Sequence, residues 1–312
     1  MEFNLQGFFE VLLFQVSWME ANLFFVIVSI SIYAWFFIRI VFIEGIYPFF
    51  QGLYWLLKPL KELILLLFVS ISLSAQASQI YSMHIVRVEG DLEAFETVQK
   101  TYMQKVAQNA VNKGDISFWA FLKRVTMDNI DDEERKNYLF VQSNSDVEAI
   151  LSAKNQWWNN ASSLLTKEEQ AIMGELSSKF TWTSDSRHIF KDEVSIQKSM
   201  GKYIQFNFAS PKNLAGFISE NKTLWKNYFS KNMSKMGMVN WGVGRKIAPT
   251  GMNTSSVSTW DMFDSLEDLM KYRVGFELPS DVAKKSKMGS YNPDGWKYSP
   301  IFNVITFAAS AQ

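Results

Sequence analysis

The chain repeats itself, and that repetition restricts its fold more than any other feature. The strand-like segment HIVRVEGD (84–91) ends in a helix-start residue, Asp91, and YIQFNFAS (203–210) ends in another, Ser210. A long helical pattern follows each, over 91–114 and 210–237. Pro211 is expected at the first helical position, and Gly114 and Gly237 are expected to stop the helices. Next come ISFWAFLKRVT (116–126) and MVNWGVGRKIA (238–248), which align Trp119 with Trp241, Lys123-Arg124 with Arg245-Lys246 and Val125 with Ile247.

NYLFVQSNSDVEAIL (137–151) then matches SVSTWDMFDSLEDLM (256–270), with Asp146 and Ser265 opening a second helix in each copy. RHIFKDEVSI (187–196) and KYSPIFNVITF (297–307) close the copies as strands. The order is β-α-β-β-α-β, twice, with the first copy over 78–198 and the second over 199–312. Such a unit covers one sheet face with its helices and leaves the other bare, so two copies are expected to pair their sheets.

This order and length resemble the dimeric α/β-barrel superfamily, the ferredoxin-like units that include antibiotic-biosynthesis monooxygenases, haem-degrading enzymes and muconolactone-isomerase-like proteins. The resemblance spans about 80–310 and rests on topology without a diagnostic motif. It implies an α+β fold in which two ferredoxin-like repeats form one α/β barrel with helices outside. It also implies that pairing is intramolecular, in a monomer or a dimer, and that a small-molecule ligand is the expected partner.

Strand alternation divides the side chains between two faces. Ile204, Phe206 and Phe208 are assigned to helix packing, which turns Tyr203, Gln205 and Asn207 into the barrel. The repeat places His84 on the equivalent face, so His84, Tyr203, Gln205 and Asn207 are candidate cavity residues. Trp119 and Trp241 are candidates as aromatic walls, against core packing as the plainer reading. For His84 the plainer reading is a partly buried imidazole with its nitrogens satisfied. His188, after the SDSR turn, is expected at the surface, and Arg124, Arg245 and Lys246 as solvated strand-end charges. Of Trp157 and Trp158, one ring is expected buried and one half exposed. The acidic run 131–134 is expected to be a solvated loop.

Composition narrows the chemistry. Thirty-one basic and 31 acidic residues cancel, so no global field recruits nucleic acid. No cysteine and only two histidines exclude disulfides and thiolate chemistry and leave too few ligands for an ordinary zinc cage. No cofactor is expected. Haem is retained only through the resemblance, because haem-degrading members use an Asn, a Trp and a His, and Asn207, Trp241 and His84 match in type but not in any spacing motif. Nucleophile elbow, phosphate loop and HExxH are absent; GVGRKIAPTG (242–251) reads as strand plus turn.

The first 77 residues differ in kind. Residues 23–43 have about the length of a membrane span, and 60–77 read as a signal peptide with Lys58 and Lys61 before an apolar run. Cleavage is expected between Ala77 and Ser78, or one residue earlier. Residues 1–59 are an apolar extension with two readings. Either translation starts near Leu60, or 23–43 and 61–77 form a membrane hairpin with Arg39, Lys58 and Lys61 in the cytoplasmic loop. Both export residues 78–312, and any membrane contact runs through the N-terminal segment.

Three functions follow: a binding or scaffolding barrel, a cofactor-independent oxygenase, isomerase or haem-handling enzyme, and a membrane-anchored partner protein. The lack of an evident acid/base pair favours the first, and whether the chain is an enzyme stays open.

Overall fold

Eight strands close into one antiparallel barrel in the order β1-β3-β2-β8-β5-β7-β6-β4. The computed structural model describes residues 29–35, 79–125, 136–151 and 155–310. Residues 1–74 and 75–312 form separate units. Of the first unit, residues 29–35 are helical. The rest of the expected span 23–43, the segment 60–77, the Ala77–Ser78 junction and the acidic run 131–134 lie outside the described residues. Among those described, no helix is long and apolar enough to cross a membrane.

The first repeat contains β1 (Ile80–Gly90), α1 (92–113), β2 (Phe118–Arg124), β3 (Tyr138–Asn144), α2 (Val147–Leu151), α3 (Lys167–Ser177) and β4 (Phe180–Gln197). The second contains β5 (Tyr203–Ala209), α4 (214–236), β6 (Met238–Ala248), β7 (Val257–Phe263), α5 (Leu266–Gly275) and β8 (Ile301–Ala309). Each repeat is a four-stranded ferredoxin-like sheet, β4-β1-β3-β2 or β8-β5-β7-β6. Antiparallel pairs join the two: Phe118 to Arg124 of β2 run against Ala309 to Phe302 of β8, and Ile189 to Gln197 of β4 against Ala248 to Asn240 of β6. Pairing both seams within one chain leaves no open sheet edge.

Local chemistry explains the helices. Asp91 caps α1 by accepting from Ala94 N at 2.9 Å, and Gly114 ends it in the left-handed conformation at φ 79°. Phe95, Val98, Tyr102, Val106 and Ala110, spaced by three or four, form its buried stripe. α4 also ends in a left-handed glycine, Gly237 at φ 71°. Both helices contain a π-helical turn at the corresponding place, Val98–Met103 and Asn221–Trp225. The start of α4 departs from expectation. Asn213, not Ser210, is the cap, accepting from Gly216 N at 2.8 Å, and the helix begins at Leu214, three residues beyond Pro211. Asp146 and Ser265 do open α2 and α5, accepting from Glu148 N and Asp268 N.

Three apolar layers result. One lies between α1 and the outer face of the first sheet and includes Phe95, Trp119, Phe121 and Tyr138. A second lies between α4 and the outer face of the second sheet and includes Phe217, Phe229, Trp241 and Phe263. The third fills the barrel itself: Met83, Leu122, Phe190, Ile204, Phe206 and Met262.

Candidate functional site

The barrel interior is the reverse of the alternation expected for β5. Ile204, Phe206 and Phe208 point into the barrel, and Tyr203 packs against the helix layer outside. Gln205 and Asn207 share that outer face with their cross-strand partners Asp261 and Thr259. The repeat symmetry itself holds, because His84 takes the equivalent outer face of the first repeat, with Val86 and Val88. Alternation divides residues into two sets but does not say which set faces the helices. In a closed barrel with helices outside, both faces are buried, so an apolar set fits either one.

The expected cavity residues therefore fall into two groups outside the barrel wall. His84 Nε2 lies 3.2 Å from Asp185 Oδ2, with its ring near Trp182 and Phe140. Trp119 packs beside Phe140 and Trp157, and Trp241 against Phe229 at 4.9 Å, so both tryptophans are core residues. Trp157 is buried and Trp158 is 46% exposed, as the sequence suggested. Beneath the second repeat's helices, Gln205 Nε2 donates to Asn207 Oδ1 at 2.8 Å. Asn207 Nδ2 donates to Thr259 Oγ1 at 3.1 Å and to Asp261 Oδ2 at 2.8 Å. Burial pushes the Asp261 carboxyl up to about 7, against the lowering effect of these amide donors. Gln205 Oε1 has no hydrogen-bond partner among the described residues, and a proton held by its cross-strand neighbour Asp261 would supply a donor.

Inside the barrel a cavity of about 740 Å³ opens at the end marked by Gln79, Ser143, Gln197 and Ser310. Its walls are Tyr81, Ala120, Leu122, Phe206, Trp260 and Met262. Two glycines shape it. Trp260 crosses over Gly242, and the Tyr81 hydroxyl rests against Gly244, at distances that leave no room for a Cβ at either position. The Tyr81 ring stacks on Phe190 at 5.3 Å and meets Trp260 edge-on at 5.5 Å. Trp260 Nε1 donates to Asn240 Oδ1 at 2.9 Å, which fixes the indole as a rigid wall.

Polar chemistry enters at the mouth through a bulge in β4. The register against β6 shifts between Asp192 and Val194, which makes Glu193 the extra residue. Asp192 lines the cavity and accepts from Ser195 Oγ at 2.7 Å. Burial raises its carboxyl above the ordinary value. Burial and the nearby Asp192 hold the Tyr81 phenol well above its own, so it stays protonated. Glu193 is held by Lys222 at 2.5 Å and Arg245 at 3.1 Å. Sequence reasoning missed Asp192. Its available signal was the pair Asp192-Glu193 inside a strand, where strict alternation would bury one carboxylate.

Haem does not fit these residues. Neither histidine lines the cavity: His84 is engaged by Asp185, and His188 Nδ1 lies 3.3 Å from Lys246 Nζ. A protonated Tyr81 does not replace them. His84, Asn207 and Trp241 do not converge on one site, and among the described residues no group of three or more His, Asp and Glu could hold a metal ion.

No family model and no curated protein matches the chain. Solved structures do. An anthrone oxidase-like protein is 13% identical, with a TM-score of 0.46, over 77% of this chain and 99% of its own. A proposed monooxygenase from Lactobacillus acidophilus NCFM is 11% identical, with a TM-score of 0.45, over 74% and 96%. A variant chlorite dismutase from Candidatus Nitrospira defluvii is 11% identical, with a TM-score of 0.38, over 73% and 91%. At these identities the neighbours' activities are their own.

Proposed function

We propose that this protein binds a small amphipathic molecule inside its barrel, with an apolar, ring-containing body between Trp260, Phe206 and Met262 and a hydrogen-bond donor directed at Asp192. The cavity carries this reading. Its 740 Å³ lies within the range of small-molecule sites, about 300–1,000 Å³, and it joins an apolar wall of Leu122, Phe206, Trp260 and Met262 to a polar mouth that includes Asp192, Asn240 and Lys222, as an amphipathic ligand requires. The apolar segment 60–77 supports export, so the ligand would be met outside the cytoplasm.

The test is native mass spectrometry of the purified full chain, followed by denaturation to release and identify what co-purifies. A stoichiometric adduct below roughly 1 kDa, with a size suited to the cavity, is expected. A bare chain that also takes up no member of an amphipathic compound library would contradict the reading.

Asp192 favours a second reading, a cofactor-independent reaction in the same cavity. A carboxylate with raised proton affinity next to an apolar wall can accept a proton from an acidic O–H or C–H of the ligand. Asp192→Asn separates the two. A binding protein keeps its adduct in this variant, whereas an enzyme keeps the adduct and loses turnover.

A further inference from the structure

The barrel's other end differs in chemistry. Along β1 the register runs inward from Tyr81 opposite Phe190 to Met83 opposite His188 and Ile85 opposite Ser186, so β4 carries His188 and Ser186 progressively farther from the cavity mouth on the interior face. β6 brings Lys246 opposite Phe190, and the ammonium lies over that ring, 5.5 Å from its centroid. Lys246 is only 8% exposed, not the solvated strand-end charge its position suggested, and His188 is half-buried within β4, not at the surface. Lys136 Nζ donates to Ser186 Oγ at 2.8 Å. Arg124 ends β2 at 5.4 Å from the Tyr298 ring, and Lys297 is tied by its backbone N to Phe208 O.

These groups share one sign. Among the described residues, none of Arg124, Lys136, His188, Lys246 and Lys297 is ion-paired with a carboxylate, although nine ion pairs are formed elsewhere. Asp185, next to Ser186 on β4, is turned to the outer face and bonded to His84. The polar partner of the Lys246 ammonium is His188 Nδ1 at 3.3 Å. A lysine donates only, so Nδ1 accepts and the imidazole keeps its proton on Nε2. Burial, Lys246 and Lys136 push His188 down to about 4, and burial and Lys297 lower Lys246. Among the described residues, then, a nearly buried cation has a neutral imidazole and no carboxylate beside it, a costly arrangement that a bound counter-ion relieves.

We propose that this end of the barrel binds a small oxyanion, a carboxylate or phosphate group held by Lys246 and Lys136, with His188 Nε2–H as a neutral donor. The site is separate from the cavity mouth and stands whether or not the cavity ligand is found.

The two histidines permit a direct test by imidazole NMR of the full chain, titrated with inorganic phosphate or acetate at constant ionic strength. The expected result is a saturable shift of the His188 resonance with a rise of about one unit in its midpoint, since a nearby opposite charge favours the protonated ring. The His84 resonance should stay in place. Saturation by phosphate alone assigns a phosphate site, and saturation by acetate assigns a carboxylate site. Lys246→Met should abolish the response and Lys136→Gln should weaken it several-fold. The proposal is overturned if neither anion gives a saturable shift, or if His84 and the lysine variants respond like His188 in the unsubstituted protein.

Discussion

A Cβ on Gly242 would overlap Cζ2 of the Trp260 indole, so the cavity wall that Trp260 forms depends on a neighbour with no side chain. Gly242→Ala forces the ring out of its place and off the hydrogen bond to Asn240. The expected cost is about 1–3 kcal/mol in urea unfolding, typical of overpacking. Trp260→Phe, made in the same chain, should recover part of it. A Gly242→Ala protein as stable as the unsubstituted one would mean that the indole is not fixed there.

Asp261 sets a pH dependence whose sign is unusual for a carboxylate. Its folded-state value of about 7 lies above the ordinary carboxylate value of 3.8, so between the two the folded protein holds a proton that the unfolded chain releases. Stability on this account is full below about pH 4, falls as pH rises through about 7, and levels off above. Asp261→Asn removes this pH dependence. Its stabilising effect should be roughly 2 kcal/mol larger at pH 8 than at pH 5. Equal effects at the two pH values would count against a buried, proton-holding carboxyl.

Glu193 ties the bulge of β4 to α4 through Lys222 and to β6 through Arg245, and its side chain is 7% exposed. Glu193→Gln leaves two cations without their charge partner, at a cost of about 1–3 kcal/mol. Glu267→Gln, which breaks an exposed pair with Lys271, should change urea unfolding far less. Comparable losses in the two variants would remove the structural role given to Glu193.

Much of the architecture is legible in the residues. The paired helix starts at Asp146 and Ser265, the left-handed glycines, and the matched tryptophans Trp119 and Trp241 place two β-α-β-β-α-β units in order, and the barrel closes as those units require. Facing was not legible. Tyr203, Gln205 and Asn207 look like a polar lining because a sheet with one wet face would turn them to water or ligand. Here Thr259 and Asp261 arrive from another strand and accept from Asn207, which itself accepts from Gln205, beneath a helix layer. His188 and Lys246 depart from expectation for a related reason, since a strand end in sequence becomes barrel interior through a register set by β1 and β6.

The residues first suspected should therefore be neutral for ligand binding. His84→Ala and Asn207→Ala are expected to leave affinity for an apolar ligand within about twofold, since neither side chain lines the cavity. A tenfold loss in either variant, with unfolding still cooperative, would move the site out of the barrel.

The most direct measurement is a fluorescence titration of the full chain with the neutral apolar probe N-phenyl-1-naphthylamine, compared with Ala120→Phe, which fills the cavity from the buried wall position opposite Phe307 of β8. Saturable one-to-one binding that weakens at least about tenfold in a cooperatively folded Ala120→Phe protein is the predicted result. Equal binding by the two proteins, or no saturable binding by either, would contradict a ligand site inside the barrel.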